Sequence, residues 1–328
     1  MPKKIEISHK TIIFTVLFLI LIRLIYDIRD IIFLVFIATL ISTILNPIVA
    51  KMSRFKIPRA LTVIIVYILG VGLVGASIGT IINPLIEQSS NFAVNFPIFL
   101  EKLQIPRNIV DQVTTEITSE IGNISSQILK IGVSVFSNIL TVLAVIIISL
   151  YLSIAREKIS DQLGKMISEE KAKKVERVLS RLESELGGWT RAQLLLMLLV
   201  GVTTYLGLIL LRIPYAIPLA VLASILEIIP NIGPVVAAVP AIIVGFGISP
   251  VSGFAVLALT FLVQQVENYL FVPKVMEKSA GINPVITLLT ILVGLKLGGV
   301  VGAMLSVPIL ITIRVLLKEF FPMEKQDE

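Results

Sequence analysis

The chain has 328 residues, of which 56% are hydrophobic and only 15% charged, and its mean hydropathy is +0.97. That is far more apolar than a water-soluble domain of this length, and it places the chain in a lipid bilayer. The absence of cysteine excludes a disulfide framework, thiolate metal ligands and a cysteine nucleophile. The single histidine, His9, sits in a basic N-terminal stretch, which leaves histidine-based catalysis without a base. A net charge of +6 suits nucleic acid in a soluble protein, but in a membrane protein excess Lys and Arg marks cytoplasmic loops, so no nucleic-acid partner is expected.

In chain order, residues 1–82 read as three membrane helices. The first runs from Thr11 to Tyr26 behind Lys3, Lys4 and Lys10; Arg23, Leu24, Ile25, Tyr26 and Asp27 stand where a signal peptidase needs small residues, so the helix is expected to be retained. The second runs from Asp30 to Leu45 and is expected to end at Asn46 and Pro47. The third, Ala60 to Ile82, is long enough at about 1.5 Å per residue to cross a core of roughly 30 Å. Lys51, Arg54, Lys56 and Arg59 lie between the last two, with no acidic residue, which puts that loop and the N-terminus in the cytoplasm.

Residues 83–130 turn polar and slightly acidic, as suits the outer face. Val110, Val113, Ile117, Ile121, Ile124 and Ile128 recur every three or four positions and predict an amphipathic helix, lying on the membrane, against another subunit or on the protein's own body. A fourth span covers 131–155. Residues 156–191 are rich in both charge signs and carry the stripe Val175, Val178, Leu182, Leu186. They predict a cytoplasmic helix that Gly187 and Gly188 relax before Trp189 anchors the next span.

Residues 192–317 are expected to form the transport core, followed by a cytoplasmic tail, 318–328. After a span from Ala192 to Leu211 the chain is cut by Pro214, Pro218, Pro230, Pro234, Pro240 and Pro250. Leu219–Ile229 and Val235–Phe246 are each too short, at about 16 to 20 Å, to cross alone. They predict a re-entrant hairpin with its tip between Ile229 and Pro234, though kinked spanning helices would carry the same prolines. A continuous span, Ser252 to Val272, separates it from a second broken pair, Pro284–Leu295 and Val300–Ile313, joined at Lys296, Leu297, Gly298 and Gly299. Pro218 precedes Gly233 by the same spacing as Pro284 precedes Gly299, and Pro240 and Pro308 lie in the following arms. Paired Gly/Pro-broken segments are the sequence mark of a secondary transporter's binding site.

Glu227 lies four residues before Asn231, and Gln264 lies three and four before Glu267 and Asn268, so each set shares a helical face. A carboxylate at membrane depth costs a few kcal/mol, so Glu227 and Glu267 either exchange a proton or cation or serve structurally, pairing with Lys274, Lys296 or Arg314 or capping a hairpin tip. Asn231, Gln264, Gln265 and Asn268 supply donors and acceptors for a polar solute.

These motifs resemble the autoinducer-2 exporter family of bacterial and archaeal membrane proteins. The resemblance runs through Leu45-Asn46-Pro47, Ile57-Pro58-Arg59, and Gly187-Gly188-Trp189 with Arg191 and Gln193. It is most specific in Glu227-Ile228-Ile229-Pro230-Asn231-Ile232-Gly233-Pro234 and in Gln265-Val266-Glu267-Asn268 leading to Pro273-Lys274-Val275-Met276. Gly281-Ile282-Asn283-Pro284, Gly294, Gly299, Gly302 and Pro308 complete it. It implies an all-α polytopic permease of the plasma membrane with seven or eight helices and cytoplasmic termini, assembling as a homo-oligomer for which a pentamer is one candidate. It leaves two substrate classes open. A small polyhydroxylated signal such as autoinducer-2 would use Asn231, Gln264, Asn268, Thr287 and Thr290; a sodium or lithium/proton antiporter would use the carboxylates. No cofactor is implied beyond a proton or sodium ion for coupling.

No Gly-rich loop followed by Lys and Ser or Thr occurs, which disfavours an ATP-driven pump. The lack of cysteine, intramembrane histidine, zinc-ligand spacing and paired aspartates disfavours an intramembrane enzyme. A non-transporting scaffold remains the rival from another class, but it gives the paired broken helices no role.

Overall fold

The computed structural model describes residues 9–55, 57–112, 115, 139–156, 168–230, 232–276 and 283–320, and among them all regular structure is helical. The helices are α1 (His9–Asp27), α2 (Arg29–Ser53), α3 (Arg59–Lys102), α4 (Ile139–Ala155), α5 (Glu169–Leu210), α6 (Ala216–Leu226), α7 (Ile232–Ile248) and α8 (Pro250–Val266). A π-helix (Glu267–Phe271), α9 (Val272–Met276) and α10 (Pro284–Phe320) follow. Five stretches are long and apolar enough to cross a membrane: α2, α3, α5, the run Pro250–Met276, and α10. The chain is thus an all-α polytopic membrane protein. Its bundle exposes large apolar side chains outward on every long helix, and every described side chain of α1 is exposed. Of the amphipathic stripe expected between Val110 and Ile128, the positions after Val110 lie outside the described residues, as do Asn231, Glu277 and Lys278.

Three helices run through positions where the sequence suggests they stop. The helix α2 continues past Pro47 to Ser53. A proline supplies no N–H, so the carbonyl of Thr43, four residues earlier, loses its helical partner. The Arg191 guanidinium donates to that oxygen at 2.6 Å, and Gly187 lies so close to the same carbonyl that a Cβ there would stand 2.6 Å from it. Gly187 and Gly188 therefore do not relax the chain. They lie inside α5, a single 42-residue helix, and Gly187 is where it touches α2.

The helix α3 likewise does not end near Ile82. It passes through Pro84 and Pro97 to Lys102, 44 residues in all. Its second half is stabilised by burial: Phe96 and Leu100 share a core with Ile213, Leu219, Ala241 and Val244. The rings of Phe92 and Phe99 stand edge-on to Tyr215 at 5.5 and 6.3 Å, and Gln88 Oε1 accepts from the Ile217 N–H at the start of α6. The first twenty residues of the segment 83–130 are thus a clamp on the α6–α7 hairpin.

Both broken pairs double back. In the first, α6 and α7 meet around a tip at 227–230, and a Cβ on Gly233 would stand 1.8 Å from the Leu226 carbonyl oxygen. In the second, helical geometry fails inside α10 at Gly298 (φ −133°) and Gly299 (φ +61°, ψ −148°), and Gly294 packs on Gly302 so closely that a Cβ on Gly294 would lie 2.4 Å from the Gly302 oxygen. The equal Pro-to-Gly spacings therefore do not mark equivalent positions: Gly233 corresponds in role to Gly302, the crossing point of the arms, whereas Gly299 is the turn itself. Pro308 is buried in an arm that stays helical around it.

Two outcomes follow for stability, both read from thermal unfolding of the purified protein in detergent. Gly299→Ala meets no neighbour within 4 Å but forces an L-residue into backbone space that favours glycine, and should destabilise the hairpin by about 1–3 kcal/mol, while Gly298→Ala is tolerated. Arg191→Met leaves the buried Thr43 carbonyl unpaired and should cost about 1–3 kcal/mol.

Candidate functional site

The tip of the first hairpin is built by short-range backbone bonds. Glu227 N–H donates to Ala223 O at 3.1 Å, Ile229 N–H to Leu226 O at 3.0 Å, and Gly233 N–H to Ile229 O at 2.9 Å. The helix α6 has ended at Leu226, so Glu227 is the first residue of the tip; Asn231, expected to share its face, lies outside the described residues. Glu227 instead turns into the bundle and is 1% exposed. Its backbone carbonyl accepts from Gln193 Nε2 of α5 at 2.7 Å.

Glu267 reaches the same place from α8. The chain widens there into the π-helix, in which Val272 N–H donates to the Glu267 carbonyl five residues back. Pro273 is the physical reason: its ring would crowd the carbonyl of Tyr269 in a regular α-helix and it brings no N–H, so the turn before it opens. The wide turn also separates Glu267 from Asn268. Glu267 is 5% exposed while Asn268 faces outward, so the face expected to carry Gln264, Glu267 and Asn268 keeps only its first two members. Gln264 Nε2 donates to Glu267 Oε2 at 3.4 Å.

The two carboxyls are close enough to act directly on each other at the junction of the hairpin tip and α8. A hydrogen bond between two carboxyls requires a proton on one of them, so an adjacent acidic pair is chemically suited to hold and release a proton. Two buried oxygens beside it, Glu227 Oε2 and Gln193 Oε1, have no hydrogen-bond partner. Glu267 and Gln264 line a cleft of about 390 Å³ between α5, α6, α7 and α8, whose other walls include Thr204, Thr260, Leu219 and Pro234. Glu227 lies behind Glu267 and does not line it. The arrangement can pass a proton from the cleft through Glu267 to Glu227 and back. Among the described residues no cluster of three or more His, Cys, Asp or Glu could hold a metal ion by such ligands alone.

The remaining residues singled out from the sequence are placed as follows. Gln265 is half-buried and outside the cleft wall. Thr287 and Thr290 donate to their own helix, to Asn283 O at 3.3 Å and Ile286 O at 2.7 Å, and do not meet the carboxyls. Pro230 is half-buried at the first tip, and Ile229 and Ile232 beside it pack on Ile291, Ala303 and Val307 of α10. The second tip, Gly298 and Gly299, is exposed. Gln193 is the residue whose part in the site was not apparent from spacing. Its signal was a lone amide at the start of an otherwise apolar span.

Comparison with known proteins agrees with this architecture. Residues 12–321 match the sequence profile described as AI-2E family transporter. YueF of Bacillus subtilis (strain 168), a candidate transport protein, is 26% identical over 308 residues, covering 84% of this chain and 83% of its own. YrrI of the same organism, also a candidate transport protein, is 24% identical over 305 residues, with 88% and 86% covered. A protein of Halobacillus andaensis named as a sodium-lithium/proton antiporter is 24% identical over 305 residues, with 84% and 85% covered. A match across nearly the whole length, on a bundle of long apolar helices with a buried acidic pair at a broken helix, places the chain in one group: it belongs to the AI-2E family of transporters.

Proposed function

We propose that the chain is a gradient-driven secondary transporter in which Glu227 and Glu267 carry the coupling proton and the cleft beside Glu267 is part of the solute path. The observation that supports this reading is the acidic pair itself: two buried carboxyls that act directly on each other, one of them on the cleft wall. A scaffold has no use for such a pair, whose burial is costly. The crossing arms at Gly233 and at Gly294–Gly302 are joints about which the two hairpins can close the path alternately from either side. In this reading the hairpins are re-entrant from opposite faces, the termini are cytoplasmic in the plasma membrane, and the protein works as a homo-oligomer, with a pentamer as one candidate.

The solute of this reading is a small polar signal such as autoinducer-2, exported downhill or against proton entry. A second reading, sodium or lithium/proton antiport, is favoured by the name of the Halobacillus relative and by the two partnerless oxygens, Glu227 Oε2 and Gln193 Oε1, which suit a dehydrated cation.

Both readings are tested in one proteoliposome preparation that follows internal pH and autoinducer-2 with and without sodium. Signal movement without sodium-dependent proton flux supports export; sodium-dependent proton flux without signal movement supports antiport. Glutamine is close to isosteric with a protonated glutamate and can still donate to the remaining carboxyl, so Glu267→Gln and Glu227→Gln should keep the unfolding temperature. Each should lower ion-coupled flux by about two orders of magnitude. Unchanged flux and pH dependence in both variants would overturn the carrier role.

A further inference from the structure

The carboxyl pair leaves two of the sequence motifs unused, those around Asn46 and Arg59. They meet far from Glu267 in sequence and contact, at a second pocket of about 340 Å³ lined by Asn46, Ala50, Arg59, Arg156, Glu176 and Glu183. The volume lies within the range of small-ligand sites, and five of its six lining residues are polar or charged.

Its walls are held in place from behind. Arg156 Nε donates to Glu183 Oε2 at 2.7 Å, and Asn46 Nδ2 donates to Glu183 Oε1 at 2.6 Å. Arg59 Nε donates to the Ser153 carbonyl at 3.0 Å. Under Asn46 runs a buried chain of hydroxyls: Ser42 lies 2.9 Å from Ser153, Ser153 lies 3.1 Å from Tyr67, and Tyr67 bonds Ser149. Four helices, α2, α3, α4 and α5, are fixed to one another by these groups. One atom is left over. Asn46 is 5% exposed, its nitrogen is committed to Glu183, and its Oδ1 has no hydrogen-bond partner. A buried acceptor without a donor is costly, and a ligand bringing a donor would relieve that cost.

The charge of the wall restricts that ligand. Among the described residues its two guanidiniums and two carboxylates sum to zero. An anion would be repelled by Glu176 and Glu183, and a cation by Arg59 and Arg156. A molecule without net charge, but with both donors and acceptors, meets partners on every side. We infer that this pocket binds a small polar solute of zero net charge that donates a hydrogen bond to Asn46 Oδ1. It is a site separate from the apolar cleft at Glu267, with different chemistry.

The test is isothermal titration of the full-length protein in detergent with four probes: D-ribose and L-serine, which carry no net charge, and inorganic phosphate and tetramethylammonium, which do. Saturable binding of ribose or serine, and of neither charged probe, is expected. Ala50→Phe fills the pocket from an exposed helix position without removing any hydrogen bond, and should abolish binding while leaving the unfolding curve unchanged. Asn46→Leu should weaken it about five- to tenfold. Glu267→Gln should leave binding intact, so failure of the carrier reading and failure of this one are distinct. Absence of saturable binding by both neutral probes overturns the inference. So does binding that survives Ala50→Phe, and so does binding of phosphate alone that is lost in Arg156→Gln, which would make this an anion site.

Discussion

Two acids buried against each other at the end of a broken helix constrain the rest of the bundle. Both carboxyls are buried, and holding two acids side by side away from water is costly. That demands backbone that can bring Glu227 and Glu267 together from two different helices. The chain meets the demand with two departures from regular helix, the turn after Leu226 and the π-helix that begins at Glu267. Each departure frees backbone groups that cannot be left unpaired at membrane depth. The Glu227 carbonyl is taken by Gln193, and the Glu267 carbonyl is taken by Val272 one wide turn on.

The long helices supply the rigidity that such a junction lacks. The helix α5 reaches Glu227 through Gln193 and α2 through Arg191, and its N-terminal half reaches α10, where Arg181 contacts Glu319 at 3.0 Å. That last pair is partly exposed and worth at most about 1 kcal/mol, so it positions the end of α10 more than it stabilises the fold. The helix α3 is the second brace. Its half beyond Ile82 carries the aromatic residues on which Tyr215 and the start of α6 rest. A hairpin of two short arms has little core of its own, and the burial of Phe96, Leu100 and Leu219 in one cluster gives it one.

Much of this was legible in the amino-acid sequence, and the exceptions have a common origin. Apolar runs locate the spans, and prolines around 214–250 locate the broken hairpin. Proline reports a missing donor but not whether another element supplies one. Pro47 therefore reads as a helix end until Arg191, 148 positions beyond Thr43, is seen on the Thr43 carbonyl. Gly187 reads as a loosening of the chain until α2 is seen lying against it. Glu227 and Glu267 stand out singly as acids among apolar neighbours, but their contact spans forty residues and depends on a π-helix for which Pro273 is the only local sign. Helical spacing fails for Asn268 for the same reason. The pocket at Asn46 is less legible still, because Arg156 and Glu183 look like two charges among many in a solvated stretch and acquire a role only when α4 and α5 bring them to α2.

The two polar sites differ in what they can recognise, and α5 touches both. Near Glu267 the walls are largely apolar and the available chemistry is a proton on a carboxyl pair, which suits energy coupling more than recognition. Near Asn46 the walls are charged but balanced, and the available chemistry is directional hydrogen bonding, which suits recognition more than coupling. Glu183, Gly187, Arg191 and Gln193 lie within eleven positions of one unbroken helix and engage, in turn, Asn46, the Thr43 carbonyl twice, and Glu227. A rotation or slide of α5 that relaxes the contact with α2 must also move the amide that holds the Glu227 carbonyl. Both engagements use buried groups that are costly to leave unpaired, so the helix is confined to positions that satisfy both ends at once.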